Sequence, residues 1–329
     1  MIDVSKIVAA QHPKGPQLVD ASYHASNPVH EDFARNVEAV VAGSSESRVL
    51  NKSRIGGVSK KVVLGEIPGE PAGVRYMIKP YHERAHLVSL REARSNPESV
   101  RLPIQGWAEM ATQGIFRAAG HGHLYQQVHT VRHPDADVLV VRLPPQIHSL
   151  DKSRSWHGGE ERWSVNIGGN TAGLDAARIG LLDFLTHQED RHEGNLVGDK
   201  SRMYAVDGSR GFDYGYGLVG PSKRWWLKTD EDVFTPAHFT INSALKHFPT
   251  TQEDHRRALS EWWARRHDVR REFAKHLNAI RDPEVRAHLA KNFETRAAFL
   301  DRAASGYDDE WMYQKVPAHT MEDRKWRAL

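Results

Sequence analysis

The sequence predicts an α+β chain in which most β-patterned segments come first and most helices come last. Three observations predict it. Apolar, β-branched runs at 58–64, 74–78 and 138–143 all precede Pro144-Pro145. Helical apolar spacing before that point is sustained over 103–120 and, more briefly, over 31–41; it then runs from 171 to about His187, from about Thr251 and from Pro283. The chain has 329 residues, 39% hydrophobic and 26% charged, enough for one large two-lobed domain or two ordinary ones, with a packed core under a charged surface.

Composition narrows the function classes. There is no cysteine, which excludes a disulfide framework and thiolate metal sites and fits a reducing interior. No apolar run approaches the ~18 residues that would span a bilayer. Met1-Ile2-Asp3-Val4-Ser5-Lys6 lacks a basic region followed by an apolar core, so no signal peptide is visible and a cytoplasmic protein is expected. The net charge of +3 and pI near 9.0 suit a phosphate-bearing ligand and are too weak alone to argue for nucleic acid.

The elements follow in order. Residues 1–50, with Pro13, Pro16 and Pro28, read as an N-terminal extension holding one helix over Glu31–Val41, ended by the Gly43–Ser47 run. Val58–Leu64 and Val74–Ile78 are strands flanking a Gly/Pro-rich turn. Gly56-Gly57-Val58-Ser59-Lys60-Lys61 offers bare backbone N–H groups to phosphates, or else is a simple hairpin turn. Lys79 leaves an apolar strand, where its ammonium can reach nucleotide phosphates or simply be solvated. No Walker A spacing is present, which excludes a P-loop NTPase. Trp107, Met110, Ala111, Gly114, Ile115 and Ala118 recur at helical spacing, with Glu109 in the early turns and Gly120 as the stop. His121, His123, His129 and His133 match no compact zinc pattern. Val138–Leu143 is a strand stopped by Pro144-Pro145, and 146–170 reads as loop. Asn170 or Thr171 caps a helix with Leu174, Ile179, Leu182 and Leu185 inward. Thr250 and Glu253 form a capping box for a helix facing inward through Trp262, Val269, Phe273, Leu277 and Ile280. Asp282-Pro283 starts the last helix, with Val285, Leu289, Phe293 and Leu300 inward and Gly306 past its end. The paired arginines at 256–257, 265–266 and 270–271 lie among Asp and Glu and read as solvated faces. Residues 307–329, with Trp311, Tyr313 and Trp326, form a tail without regular pattern.

The chemistry concentrates between Thr186 and Gly208. Asp190, His192 and Asn195 lie on a loop after the helix, and Asp207 ends a strand after the Gly198-Asp199-Lys200-Ser201 turn. One carboxylate can orient an attacking hydroxyl, while an amide oxygen and a second carboxylate hold Mg²⁺ on phosphates. A polar surface loop with turn-capping Asp and Asn would use the same residue types.

Asp190-Arg191-His192-Glu193-Gly194-Asn195 resembles the D-R-H-x-x-N catalytic loop of phosphatidylinositol 3- and 4-kinases and the D-x-H-x-x-N loop of HipA-type serine/threonine kinases. Val206-Asp207-Gly208 stands where those families carry the metal-binding Asp, and Gly208–Phe212 is similar to the stretch that follows it in phosphatidylinositol kinases. The 54–80 segment is similar to the nucleotide-binding hairpin of the HipA type. The resemblance covers roughly residues 54–217 and implies a bilobal protein-kinase-like fold, with a β-rich N-lobe at 51–143 and a mainly helical C-lobe at 144–306. It implies ATP and Mg²⁺ as cofactors. It assigns Asp190 to orient or deprotonate the acceptor, His192 to brace the loop, and Asn195 and Asp207 to the metal. Gly56, Gly57, Ser59, Lys61 and Lys79 would hold the nucleotide phosphates. Glu109 would fix Lys79, with Glu92 as competitor, and Arg142 and Leu143 would begin a hinge facing adenine.

The expected activity is transfer of the ATP γ-phosphate to a hydroxyl, with a protein serine or threonine preferred. A small molecule, a lipid headgroup, AMP transfer, a pseudokinase and a nucleic-acid-binding scaffold are the alternatives.

Overall fold

The computed structural model describes Arg35 and residues 63–65, 71, 74–81, 105–133, 136–143, 148–149, 154–157, 160–163, 167–188, 191, 193–208, 211–212, 233–234, 248, 250–281, 283–305 and 316–317. For 63–65, 148–149, 154–157, 160–163, 233–234, 316–317 and parts of other elements it describes the backbone alone. The expected helix at 31–41, the Gly56–Lys61 turn and Glu92 lie outside these residues, apart from helical Arg35.

An antiparallel sheet forms the first half. Its strands are β1 (Val63–Gly65), β2 (Arg75–Tyr81), β3 (Val128–His133) and β4 (Ala136–Leu143), in the order β1-β2-β4-β3. Their β-branched and aromatic residues fit a pleated, half-buried surface. β2 does not stop at Ile78, as the sequence suggests; it runs on through Lys79 and Pro80 to Tyr81, opposite Leu139, Val138 and Asp137. Among the described residues Pro80 pairs with β4 alone, since the described register of β1 reaches only Ile78. Gly65 is the last residue of β1 rather than part of the turn. β3 falls where the sequence offers only scattered histidines.

Helix α1 (Gln105–Ala118) crosses between β2 and β3. Residues 106–116 are all buried, because the helix has β3 and β4 on one side and the second half of the chain on the other. It ends at Gly120, whose φ of 84° no β-carbon favours, with His121 N–H returning to Phe116 O at 2.8 Å. His121 precedes a 3-10 turn (Gly122–Leu124) that contains His123, and His129 is a buried strand residue. Among the described residues no group of three or more His, Cys, Asp or Glu surrounds a metal position.

The segment 146–170 is not all loop. β5 (His148–Ser149) joins a second sheet, and β6 (Arg154–His157) pairs with β7 (Glu160–Trp163) across a two-residue connection, Gly158-Gly159. That pair between two extended runs is a hairpin signal in its own right. Helix α2 (Ala172–Leu185) buries Ile179, Leu182 and Leu185 as expected, with Leu174 only half-buried. Thr171 precedes it, and its hydroxyl donates to Asp175 Oδ2 at 3.0 Å rather than accepting a helix N–H. β8 (Leu196–Gly198) and β9 (Met203–Ala205) form the expected hairpin and extend β5 into a three-stranded sheet. Asp199 holds its turn, accepting from Ser201 N–H at 2.7 Å and Arg202 N–H at 3.0 Å.

Helix α3 (Gln252–Leu277) starts one residue later than the sequence suggests. Thr251, in extended conformation, is the N-cap and Asp254 closes the box: Asp254 N–H donates to Thr251 Oγ1 at 3.1 Å and Thr251 N–H to Asp254 Oδ2 at 2.8 Å. Helix α4 (Pro283–Ser305) packs on α3 through Val285, Leu289, Phe293 and Leu300. Arg270 clamps the pair, donating to Glu294 at 3.0 Å and Asp301 at 2.8 Å. The other paired arginines meet local acids or, for Arg266, the Trp263 ring at 3.6 Å. These are solvated helix faces. In the tail, β11 (Val316–Pro317) pairs with β10 (Val233–Phe234), a contact the sequence did not suggest. No helix among the described residues is long and apolar enough to cross a membrane.

One core joins the halves. Trp107 of α1 meets Phe212 edge-on at 5.0 Å; Phe212 stacks on Phe273 of α3 at 5.7 Å; Phe273 stacks on Phe293 of α4 at 3.8 Å. Trp107 Nε1–H donates to His276 O at 2.7 Å. At Gly114 an added β-carbon would meet His276 Nε2 and, at 2.8 Å, Glu272 Oε1, so the helices touch where α1 is bare. Phe273→Ala empties the middle of this stack and is expected to cost about 3–5 kcal/mol, seen as a lower urea midpoint with unchanged slope.

A second expectation concerns pH. His121 lies 3.4 Å from Glu261, yet burial first and the Arg178 guanidinium second pull it down to about 4. At neutral pH the contact is therefore made by a neutral imidazole. The unfolded chain takes up this proton near 6.5 and the folded chain only near 4, so stability is full above 6.5 and falls as pH drops between those values. The loss is about 3 kcal/mol at most. Urea midpoints from pH 7.5 to 4 in wild type and His121→Gln measure it, and the variant should lose that part of the slope.

Candidate active site

The site begins at the end of α2. Asp183, in the last turn, is buried, with its carboxylate at the unfavourable end of the helix dipole. Arg191, fully buried, meets it as a fork: Nε–H donates to Oδ2 at 2.9 Å and Nη2–H to Oδ1 at 2.8 Å. The remaining face of the guanidinium binds backbone. Nη1–H donates to Asn195 O at 2.8 Å and also to Val206 O. One side chain thus ties the helix, the loop of the D-R-H-x-x-N motif and the strand leading to Asp207. Burial pushes the Asp183 carboxyl up and opposes charge on Arg191. The two facing N–H donors and the nearby Asp183 and Asp207 charges prevail, and the guanidinium stays cationic.

Asn195 and Asp207 are neighbours in space. Val206 N–H donates to Asn195 O at 3.1 Å, so the residue before Asp207 is bonded to Asn195 itself. Asn195 is buried at the end of a 3-10 turn (Glu193–Asn195) and Asp207 is half-buried just past β9. Their amide and carboxylate oxygens are hard donors and fit Mg²⁺, which needs only one or two protein ligands beside phosphate and water. Asp190 and His192 lie outside the described residues, as do the side chain of Lys79 and all of Gly56, Gly57, Ser59 and Lys61.

The backbone here is strained. The non-glycine residues with left-handed φ among those described are His187 (49°), Asp207 (60°) and Phe212 (66°), which bracket the loop and the Asp207 turn. Such residues cost about 1–3 kcal/mol each and persist only where their surroundings hold them. For Phe212 the surroundings are the aromatic stack and its N–H bond to Thr186 O. For Asp207 they are two side chains reaching its following peptide. Gln188 Nε2–H donates to Asp207 O at 2.7 Å, and Gly208 N–H donates to Glu109 Oε2 at 2.9 Å.

Glu109 is therefore not an exposed helix charge. It is fully buried on α1, and its Oε2 also accepts from Tyr125 O–H at 2.5 Å. Burial first, then the Glu109 charge and hydrogen bond, push the Tyr125 phenol well above its usual range, so it stays a donor. Arg142 is half-buried, and its backbone N–H is engaged inside the sheet, donating to Gln127 O at 2.9 Å; Leu143 lies opposite Arg75 at the strand end. Sequence reasoning did not assign roles to Arg191, Asp183, Gln188 or Tyr125. The signal for the first pair is an Asp eight residues before the motif Arg, at the end of an apolar helix.

No protein-family model matches the chain, and no curated protein matches it. Among solved structures, the chain is similar to the proinflammatory kinase CtkA of Helicobacter pylori, at 10% identity and TM-score 0.48, covering 80% of this chain and 98% of that one. It is also similar to a choline/ethanolamine kinase family protein of Mesorhizobium loti, at 12% identity and TM-score 0.26, covering 82% and 98%.

Arg191→Ala leaves the Asp183 carboxylate buried without its cation and is expected to cost about 3–5 kcal/mol in urea unfolding. Replacing both partners, as Asp183→Leu with Arg191→Met, should recover part of that loss. A double variant no more stable than Arg191→Ala would refute the electrostatic explanation.

Proposed function

We propose that the protein is an ATP-dependent phosphotransferase that moves the γ-phosphate of ATP to a hydroxyl, with the serine or threonine of a protein as preferred acceptor. The observation that carries the reading is the joining of Asn195 and Asp207 through Arg191 and the Val206 N–H, within a loop that reads D-R-H-x-x-N. A surface loop with Asp and Asn capping turns has no need of a buried arginine beneath it. The closure of Glu109 onto Gly208 adds support, since it links helix α1 of the β-rich half to the Asp207 turn. The preference for a protein acceptor rests on the similarity of the 54–80 segment to HipA-type kinases.

In this reading Asp190 orients the acceptor hydroxyl and takes its proton as the oxygen bonds to the γ-phosphorus. The bond from the γ-phosphorus to the β–γ bridging oxygen breaks and ADP leaves. Asn195 and Asp207 would hold Mg²⁺, which when bound would supply neutralising charge for the phosphates. Lys79, steadied by Glu109, draws the nucleotide phosphates into place, with Gly56, Gly57, Ser59 and Lys61 closing over them. Arg142 and Leu143 lead into the segment that faces the base. His192 braces the loop. Most of the rate gain comes from positioning and charge neutralisation.

The test uses γ-labelled ATP, Mg²⁺ and a cell lysate with wild type and Asp207→Asn. Wild type should transfer label to protein, and the variant should lose about a hundredfold or more, as expected when a preorganised charge is removed. Label appearing equally with both would refute the reading. The mass added to the product separates phosphate from AMP transfer.

A further inference from the structure

We propose that Tyr125 is a positioning residue for the metal-binding carboxylate of Asp207, acting by fixing the peptide that joins Asp207 to Gly208. The inference rests on the phosphotransferase reading above. That peptide is gripped at both ends by side chains. Its oxygen accepts from Gln188 Nε2–H at 2.7 Å. Its N–H is shared between Glu109 Oε2 and Tyr125 Oη, each at 2.9 Å, and Tyr125 O–H in turn donates to that Glu109 oxygen at 2.5 Å. The three groups come from α1, from the turn before β3 and from the end of β9, and all are buried.

The ring itself cannot move far. Its backbone bridges Ala205, the next residue's N–H donates to Ala205 O at 3.2 Å, and its ring packs on Phe116 at 4.9 Å. The hydroxyl is thus delivered to Gly208 from a post bridged to Ala205, the last residue of the strand that leads to Asp207. Gly208 is bare for this reason. A β-carbon there would collide with Tyr125 Oη and come within 3.0 Å of Thr112 Oγ1.

Rotation about the Asp207 N–Cα bond, by which it would leave its left-handed φ of 60° and swing its carboxylate elsewhere, carries the 207–208 peptide with it. The hydroxyl opposes that rotation twice, by accepting from the N–H and by holding the carboxylate that also accepts from it. A buried tyrosine that merely fills space and adds one hydrogen bond would affect stability alone. A positioning tyrosine affects how well the site takes up the metal.

The experiment compares full-length wild type, Tyr125→Phe and Gly208→Ala. Calorimetry measures binding of a non-hydrolysable ATP analogue, with Mg²⁺ titrated and then with chelator. Hydrogen exchange follows the 205–212 peptide, and thermal denaturation follows stability. In Tyr125→Phe the half-saturating Mg²⁺ should rise about fivefold or more, the scale of one lost buried hydrogen bond, with analogue binding in chelator unchanged. Exchange at 205–212 should quicken about tenfold. Gly208→Ala displaces the hydroxyl without removing it and should move Mg²⁺ uptake the same way; it decides the matter if Tyr125→Phe does not fold. An unchanged Mg²⁺ dependence in a folded variant, whatever its melting temperature, overturns the inference alone. A wild type that binds no Mg²⁺–analogue overturns the inference and the phosphotransferase reading together.

Discussion

The buried guanidinium of Arg191 is the constraint on which the site depends. Removing an ionised pair from water costs several kcal/mol per ion, so the pair with Asp183 is poor evidence for stability in itself. Its value lies in direction. Four donated bonds in one plane leave the guanidinium a single orientation, and that orientation sets where the Asn195 and Val206 carbonyls sit. A lysine would carry the charge without the fork and would not tie three elements together. Both candidate metal ligands are thereby referred to the end of α2, and α2 is packed into the core by Ile179, Leu182 and Leu185.

A second tie runs from the other side. Glu109 and Tyr125 hold the peptide after Asp207, and Trp107, two residues before Glu109, joins the aromatic stack that runs through Phe212 to Phe273 and Phe293. The turn carrying Asp207 is thus held at Gly208 by α1 and at Phe212 by α3. This accounts for the left-handed residues. Strain at Asp207 and Phe212 is sustained because each has a partner that leaves with it if the backbone relaxes. The sheet half and the helical half share one set of buried side chains, so the placement of Asp207 and the packing of the core are not independent.

Much of this was legible in the residues. The Gly198–Ser201 turn and the short apolar run after it marked the hairpin, and the D-R-H-x-x-N spacing marked the loop. Glu109 stood out by its place on an apolar helix, though not by its partners. Arg191 was hidden because its burial depends on Asp183, and nothing local marks an arginine as internal. Tyr125 was hidden because its role depends on Gly208, 83 residues away. β3 was masked by histidine and arginine within its run, and β6–β7 by the adjacent glutamates Glu160 and Glu161. The shift of the α3 cap from Thr250 to Thr251 shows a limit of pattern alone: two threonines and two acids allow two boxes, and the extended backbone at Thr251 selects one.

The central claim is that Asn195 and Asp207 present their oxygens to one metal ion on a nucleotide. Crystals grown with Mn²⁺ and a non-hydrolysable ATP analogue test it most directly, because Mn²⁺ is located by its anomalous scattering. The account predicts Mn²⁺ about 2.0–2.3 Å from an Asn195 side-chain oxygen and an Asp207 carboxylate oxygen, bridged to the analogue's phosphates. Mn²⁺ and nucleotide bound together elsewhere, with Asn195 and Asp207 touching neither, would contradict it.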